Sequence, residues 1–153
     1  MGFEGNIGFR IARTHKVLKQ RLTLLLKRHN LTGPQYHVLC VLFEKNGLSA
    51  REVVDRLFSD SSTITDILDR LEEKDLVHRR PDVQDRRVQR VFLTEAAKAI
   101  LPQIRSRVDL FETEIQRHLS PKEIEALRNG LDKLYRLAAG ETENEAAAWG
   151  RAG

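Results

Sequence analysis

The chain has 153 residues, 41% hydrophobic and 31% charged, with a formal net charge of +4. That length suits one domain, or one domain with an oligomerisation extension, and the apolar share is enough for a real core. Cys40 is the only cysteine, so an internal disulfide is excluded; no basic stretch followed by an apolar run opens the chain, and no apolar run nears the roughly 20 residues that cross a bilayer, so a reducing cytoplasm and no membrane are expected.

Charge is unevenly placed. Residues 1–30 hold seven Lys or Arg against one acid, 31–94 hold ten against eleven, and 95–153 hold nine against ten. The first basic stretch predicts a helix over 7–29, with Ile11, His15, Leu18, Leu22, Leu25 and His29 on a heptad-like seam. Such a seam needs a partner surface, either in the same chain or on a second subunit. His15 is expected to be partly buried and hydrogen-bonded, since no cysteine or carboxylate lies at metal spacing from it. Asn30 ends this helix. Thr32-Gly33-Pro34-Gln35 is a capping box with proline in the first turn, so a second helix runs from about Pro34 to Lys45 and stops at Asn46-Gly47. Cys40 lies on it as a packed thiol, with no Lys or Arg beside it to stabilise a thiolate.

Ser49 to Glu52 repeats the capping-box form, and Val53, Val54, Leu57 and Phe58 supply a helical stripe that breaks at Ser59-Asp60-Ser61. A further helix follows, with Ile64, Ile67, Leu68 and Leu71 on one face; Ser62, Asp66, Asp69 and Glu73 lie opposite, flanked by Thr63, Thr65 and Arg70. This short helix, turn and longer helix with a hydroxyl-rich start is the layout that places one helix in a major groove. Beyond Lys74-Asp75 the period approaches two. Leu76 to Arg80 and Val88 to Leu93 read as the strands of a two-stranded hairpin around the polar loop PDVQDR. Five arginines against two aspartates between Val77 and Arg90 concentrate positive charge on this wing, where guanidinium groups can reach a minor groove or phosphates. Taken separately, a helix pair is commonly core and an arginine run commonly a solvated face.

From Thr94 a long helix runs towards His118, with Ile100, Leu101, Ile104, Val108, Phe111, Ile115 and Leu119 at steps of three and four, and with Pro102 as a kink or a looser first turn. Ser120-Pro121-Lys122-Glu123 is another capping box, opening a last helix striped by Ile124, Leu127, Leu131, Leu134 and Ala138. A winged module alone could not bury three long stripes, so these helices and the first are expected to form a dimerisation layer. The tail from Gly140 is small-residue rich, and fraying is expected apart from an anchoring role for Trp149.

The segment STITDILDRLEEKDLV followed by DVQDRRVQRVFLT resembles the MarR family of winged-helix transcriptional regulators, most specifically in Asp69-Arg70-Leu71-Glu72-Glu73-Lys74, Asp85-Arg86-Arg87 and Leu93-Thr94-Glu95 at their mutual spacing. The resemblance implies a homodimer on a pseudopalindromic double-stranded operator, recognition helices in successive major grooves, and wing arginines in the minor groove. It also implies that Asp85 steadies Arg86 or Arg87. Position 66, commonly basic in the family, is Asp66 here, so base preference does not carry over. Asp75 and Ala97 stand where glycines are common; Asp75 tolerates a left-handed helix end and Ala97 suits a helix interior.

The expected fold is therefore mainly α: residues 1–31 a dimerisation helix, 32–94 a winged helix-turn-helix, 95–139 dimerisation helices, and 140–153 a flexible tail. The expected function is a sequence-specific DNA-binding regulator, a repressor associated with the nucleoid. Its DNA-facing residues would be Ser61, Ser62, Thr63, Thr65, Asp66, Arg70, Asp85, Arg86 and Arg87, with the helix start favouring a phosphate and Arg79, Arg80 and Arg90 as secondary phosphate contacts. The alternative is a winged-helix module that binds protein, suggested by the acidic Asp66, Asp69 and Glu73. No nucleophile elbow, glycine-rich phosphate loop, HExxH or Cys/His cluster is present, so neither an enzyme, a cofactor nor a metal is expected. The family resemblance further implies a small aromatic or phenolic anion as effector, for which Arg13, Tyr36 and His37 have suitable chemistry.

Overall fold

In the computed structural model, which describes residues 2–139, each α-helix begins where a side chain takes up its free amides. Asn6 caps α1 (Ile7–Leu26) through the Phe9 amide, and Thr32 and Gln35 form the reciprocal box that opens α2 (Gly33–Glu44). Ser49 and Glu52 do the same for α3 (Ala50–Leu57), and Asp60 caps α4 (Ser61–Glu73). Thr94 accepts from the Ala97 amide at the start of α5 (Glu95–Arg117), and Ser120 with Glu123 opens α6 (Pro121–Ala139). Pro102 lies inside α5, which continues through it.

Helix ends follow the same local logic. Asn30 and Asp75 take left-handed conformations, with φ of 53° and 54°, after the turns that close α1 and α4. Asparagine and aspartate tolerate that region because their side chains can hydrogen-bond locally. Phe58 also adopts it, with φ of 49°, at the end of α3. The expectation that Phe58 continues the α3 stripe is therefore corrected: the helix stops at Leu57, and the ring lies 73% exposed.

The wing is a three-stranded sheet, not the expected two-stranded hairpin. Strands β2 (Val77–Pro81) and β3 (Gln89–Leu93) pair antiparallel, and the two-residue β1 (Leu48–Ser49) adds to the other edge of β3, giving the order β1-β3-β2. Two residues carry no readable period, so only the fold reveals β1. Ahead of it Gly47 has φ of 79°, and a Cβ there would come within 2.8 Å of the Phe92 ring. Glycine is thus required at this turn twice over, by the positive φ of position 47 and by the Phe92 ring beside it.

The core gathers one face of every element up to the middle of α5. Leu26, Leu39, Leu42, Val53, Leu68, Leu71 and Leu101 are fully buried, closed by Leu48, Val77, Val91 and Leu93 from the sheet and by Ala97 and Ile104 from α5. Cys40 is partly buried against this core. The described residues divide into two compact units, with Val108 ending the first and Asp109 opening the second. In the first, only the C-terminal end of α1 reaches the core. Its earlier seam stays open within the single chain, with Ile11 and Leu18 about two-fifths exposed and His15, expected to be partly buried against a partner surface, exposed as well. In the second, no residue of α6 is buried. Trp149 and the rest of 140–153 lie outside the described residues.

Candidate nucleic-acid interface

Helix α4 turns Ile64, Leu68 and Leu71 into the core and leaves Ser61, Ser62, Thr63, Thr65, Asp66, Asp69 and Arg70 exposed. The side opposite the core is therefore a continuous polar face. Its first turn is pre-set by Asp60. That carboxylate accepts from the Ser62 hydroxyl at 2.6 Å, the Thr63 amide at 2.8 Å and the Thr63 hydroxyl at 2.7 Å, bonds that hold its carboxyl far below the usual carboxylate range. The Ser62 and Thr63 hydroxyls, two of the four expected to meet DNA, are thus oriented in the free protein. The same carboxylate occupies the helix start, so a phosphate expected there would approach an anion rather than open amides. The Thr65 hydroxyl donates back to the Ser61 carbonyl at 2.8 Å, which spends its proton and leaves its methyl and its acceptor lone pairs to meet a base edge.

The wing loop between β2 and β3 is built on two aspartates. Asp82 accepts from the Gln84 and Asp85 amides at 2.7 and 3.1 Å, while its own amide donates to the Val88 carbonyl at 2.8 Å. Asp85 receives the Arg87 guanidinium through Nε and Nη2, both at 2.9 Å, and the Arg87 amide at 3.1 Å. The expected partner, Arg86 or Arg87, is thus Arg87. Its side chain remains 90% exposed while held in this bidentate grip, which lowers the Asp85 pKa and raises that of Arg87. Arg86 is exposed and has no ion pair among the described residues. Arg80, also exposed, lies with its guanidinium 5.9 Å from the Phe92 ring centroid.

The remaining two arginines face inward. Arg79 sits between Asp69 and Glu72 of α4, both at 2.5 Å, and its amide also donates to Glu72. Arg90 sits between Asp82 and Glu52, both at 2.6 Å. A guanidinium shared by two carboxylates has little charge left for a phosphate. These two, expected as secondary phosphate contacts, tie the wing to α4 and α3. Asp69 and Glu72 are correspondingly less repulsive towards an approaching backbone.

The Arg90 hydrogen bond and the two loop amides hold Asp82 down to about 2. A carboxyl depressed in the folded state adds stability above its unfolded value of 3.8, and loses it as pH falls through the folded value. Thermal unfolding of the wild type should therefore be insensitive to this group from pH 5 to 8 and weaken from about pH 4 towards 2. In the Asp82→Asn variant the acid-side decline should be shallower; an identical decline would remove Asp82 from the wing's acid response.

A groove of about 520 Å³ runs between α1, the start of α2 and α4, with Lys19, Thr23, Leu31, Pro34, Thr63 and Arg70 among its walls. Its walls do not include the three expected effector contacts. Tyr36 is 6% exposed, its ring centroid 5.9 Å from that of His37. His37 is more open, though partial desolvation still lowers its pKa. Arg13 stands on α1 with its guanidinium 6.0 Å from the Phe9 ring centroid.

Sequence reasoning passed over Asp82 and Glu52 as members of the site and treated Asp60 only as a turn and capping residue. The Ser59-Asp60-Ser61 break carried a capping signal. Nothing in spacing alone brings Glu52 to Arg90, since the two are 38 residues apart.

Comparison with known proteins agrees with this geometry. Residues 31–88 match the model of the MarR family. The chain is 47% identical over 76 residues to the HTH-type transcriptional regulator TtmR of Methylorubrum extorquens, a match spanning 50% of this chain and 39% of TtmR. It is 30% identical over 110 residues to the HTH-type transcriptional regulator MgrA of Staphylococcus aureus, covering 72% of this chain and 74% of MgrA. The fold is also that of S. aureus MepR solved as a DNA complex, with a TM-score of 0.80 at 24% identity over 88% of this chain and 97% of MepR. Among the described residues no helix is long and apolar enough to cross a membrane.

Proposed function

Because the chain belongs to the MarR family and is a DNA-binding transcriptional regulator, not a protein-docking module or an enzyme, we propose that it is a repressor that binds a pseudopalindromic operator as a homodimer. One observation carries this reading. The exposed face of α4 and the pre-oriented Arg87 at the wing tip belong to one compact unit whose core fixes both. Ser61, Ser62, Thr63, Thr65, Asp66 and Arg70 would then meet bases and phosphates in the major groove, with Arg80, Arg86 and Arg87 on the flanking minor groove and backbone. A carboxylate at Asp66 repels phosphate but can accept from cytosine N4.

The homodimer is supported by apolar side chains that each unit leaves open: Ile7 and Val17 on α1, exposed by 62% and 51%, and Leu127 and Leu131 on α6, exposed by 53% and 44%. Exposed apolar stripes of this length are what a second copy would cover. A small aromatic or phenolic anion is the effector we propose, with Arg13, Tyr36 and His37 as its contacts. We place the protein in the cytoplasm, at the nucleoid.

Genomic-fragment selection with the purified protein, followed by salt titration and sedimentation on the best fragment, tests the proposal. The expected result is an inverted repeat with half-sites about one helical turn apart, bound by two copies. Adding hydroxylated aromatic carboxylates to the same assay should weaken binding, with a coupling of about 1 to 3 kcal/mol. Recovery of unrelated fragments bound by single copies would overturn the operator and dimer reading.

A further inference from the structure

A chain of charge-assisted hydrogen bonds runs from the helix-turn-helix to the wing tip. It starts at the α3 cap, where the Glu52 carboxylate accepts from the Ser49 amide at 2.8 Å and the Ser49 hydroxyl at 2.9 Å. The same Glu52 oxygen takes Arg90 Nη1 at 2.6 Å, and Arg90 Nε reaches Asp82 Oδ2 at 2.6 Å. Asp82 Oδ1 then holds the Gln84 and Asp85 amides, and Asp85 grips Arg87. Arg90 is also the residue of β3 that stands opposite both Ser49 on β1 and Arg80 on β2, so the central strand delivers its side chain one pair in from the wing end of the ladder. With the side chains of Arg90 and Asp82 exposed by only 33% and 18%, this junction is shielded more than the wing tip it supports.

We propose that Arg90 is a positioning residue for DNA binding: it touches no DNA, and by bridging Glu52 and Asp82 it sets the orientation in which the wing loop presents Arg87. The planar guanidinium is required because two of its edges are used at once, Nε towards the loop and Nη1 towards α3. A lysine ammonium, one compact charge on a flexible stem, cannot reproduce that fork. With the bridge cut, the Asp82 carboxylate would lose the one cationic side chain paired with it among the described residues, and the loop would sample more orientations before DNA arrives. Binding would then carry the ordering cost that the free protein has already met.

The experiment compares wild type, Arg90→Gln, Arg90→Lys, Asp82→Asn and the Arg90→Gln/Asp82→Asn double variant. Fluorescence anisotropy on the best selected genomic fragment is read as affinity and as the slope of log affinity against log salt. Amide hydrogen exchange of Gln84 and Asp85 is read in the free protein. Arg90→Gln is expected to lower affinity about tenfold with the salt slope unchanged, because no phosphate contact is removed. Arg90→Lys should fail to restore affinity, the double variant should be no weaker than the worse single, and the two loop amides should exchange faster in each. A salt slope lower by about one in Arg90→Gln, with affinity and slope restored in Arg90→Lys, would make Arg90 a direct phosphate contact and overturn the proposal. So would wild-type affinity in Arg90→Gln. If Arg90→Gln does not fold, Asp82→Asn and Arg90→Lys carry the same readouts, and wild-type affinity in both would overturn it.

Discussion

Replacing Arg87 by alanine is expected to lower affinity for the selected operator about tenfold and to take about one unit off the salt slope. Three facts single this residue out among the wing arginines. Its side chain is 90% exposed, whereas those of Arg79 and Arg90 are 24% and 33% exposed and each lies between two carboxylates. It is held by Asp85 through both Nε and Nη2, so much of its rotamer freedom is already spent before binding. And it stands at the tip of a loop whose backbone is fixed by Asp82. An arginine entering a minor groove releases counterions, which is why slope and affinity should fall together. Arg86→Ala, lacking a fixed partner, should cost less. Asp85→Asn gives the complementary test: the charge of Arg87 remains but its grip weakens, so affinity should drop with the slope intact. Equal slopes and affinities for wild type and Arg87→Ala would take the wing tip out of the DNA contact.

Leu68→Ala is expected to destabilise the protein by about 3 kcal/mol, within the range of buried leucine truncations. Leu68 is fully buried on the inner face of α4, in the core to which α2, α3 and the sheet also contribute. Its loss removes both the transfer free energy of the deleted atoms and the dispersion contacts that their neighbours cannot regain. The magnitude is a sizeable fraction of the roughly 5–15 kcal/mol that holds a domain folded, so α4 should lose its fixed placement before its polar face is altered. Urea unfolding at fixed protein concentration should show a lower midpoint with an unchanged slope. Asp66→Ala on the exposed face should stay within about 0.5 kcal/mol of wild type, and comparable losses in the two variants would contradict the assignment of faces on α4.

Much of this architecture is local and was therefore legible from residue order. The boxes at Thr32, Ser49 and Ser120, the stripe Ile64, Leu68 and Leu71, and the alternation into β3 each depend on neighbours within a turn or a strand, where spacing dictates geometry. Asp75 at a left-handed helix end and Ala97 inside α5 were legible for the same reason. The likeness of residues 62–77 and 82–94 to the MarR family rested on the motif residues themselves, most specifically Asp69 to Lys74, Asp85 to Arg87 and Leu93 to Glu95.

What the tertiary structure alone decided is how the charges are divided. In the linear chain, the family resemblance sets Arg86 and Arg87 apart beside Asp85, but nothing distinguishes Arg79 and Arg90 from Arg80. The three-stranded register sets Arg79 beside the carboxylates of α4 and Arg90 between Asp82 and a glutamate from α3, leaving the tip arginines to face outward. A salt bridge depends on distances of a few ångströms between residues up to 38 positions apart, and hydropathy and period carry no information about them. The two-residue β1 and the outward Phe58 were invisible for a related reason: pairing with β3 creates the first, and the left-handed close of α3 turns out the second. Local rules thus determine which elements form and which face is apolar, while packing determines which polar groups are spent on one another and which remain for DNA.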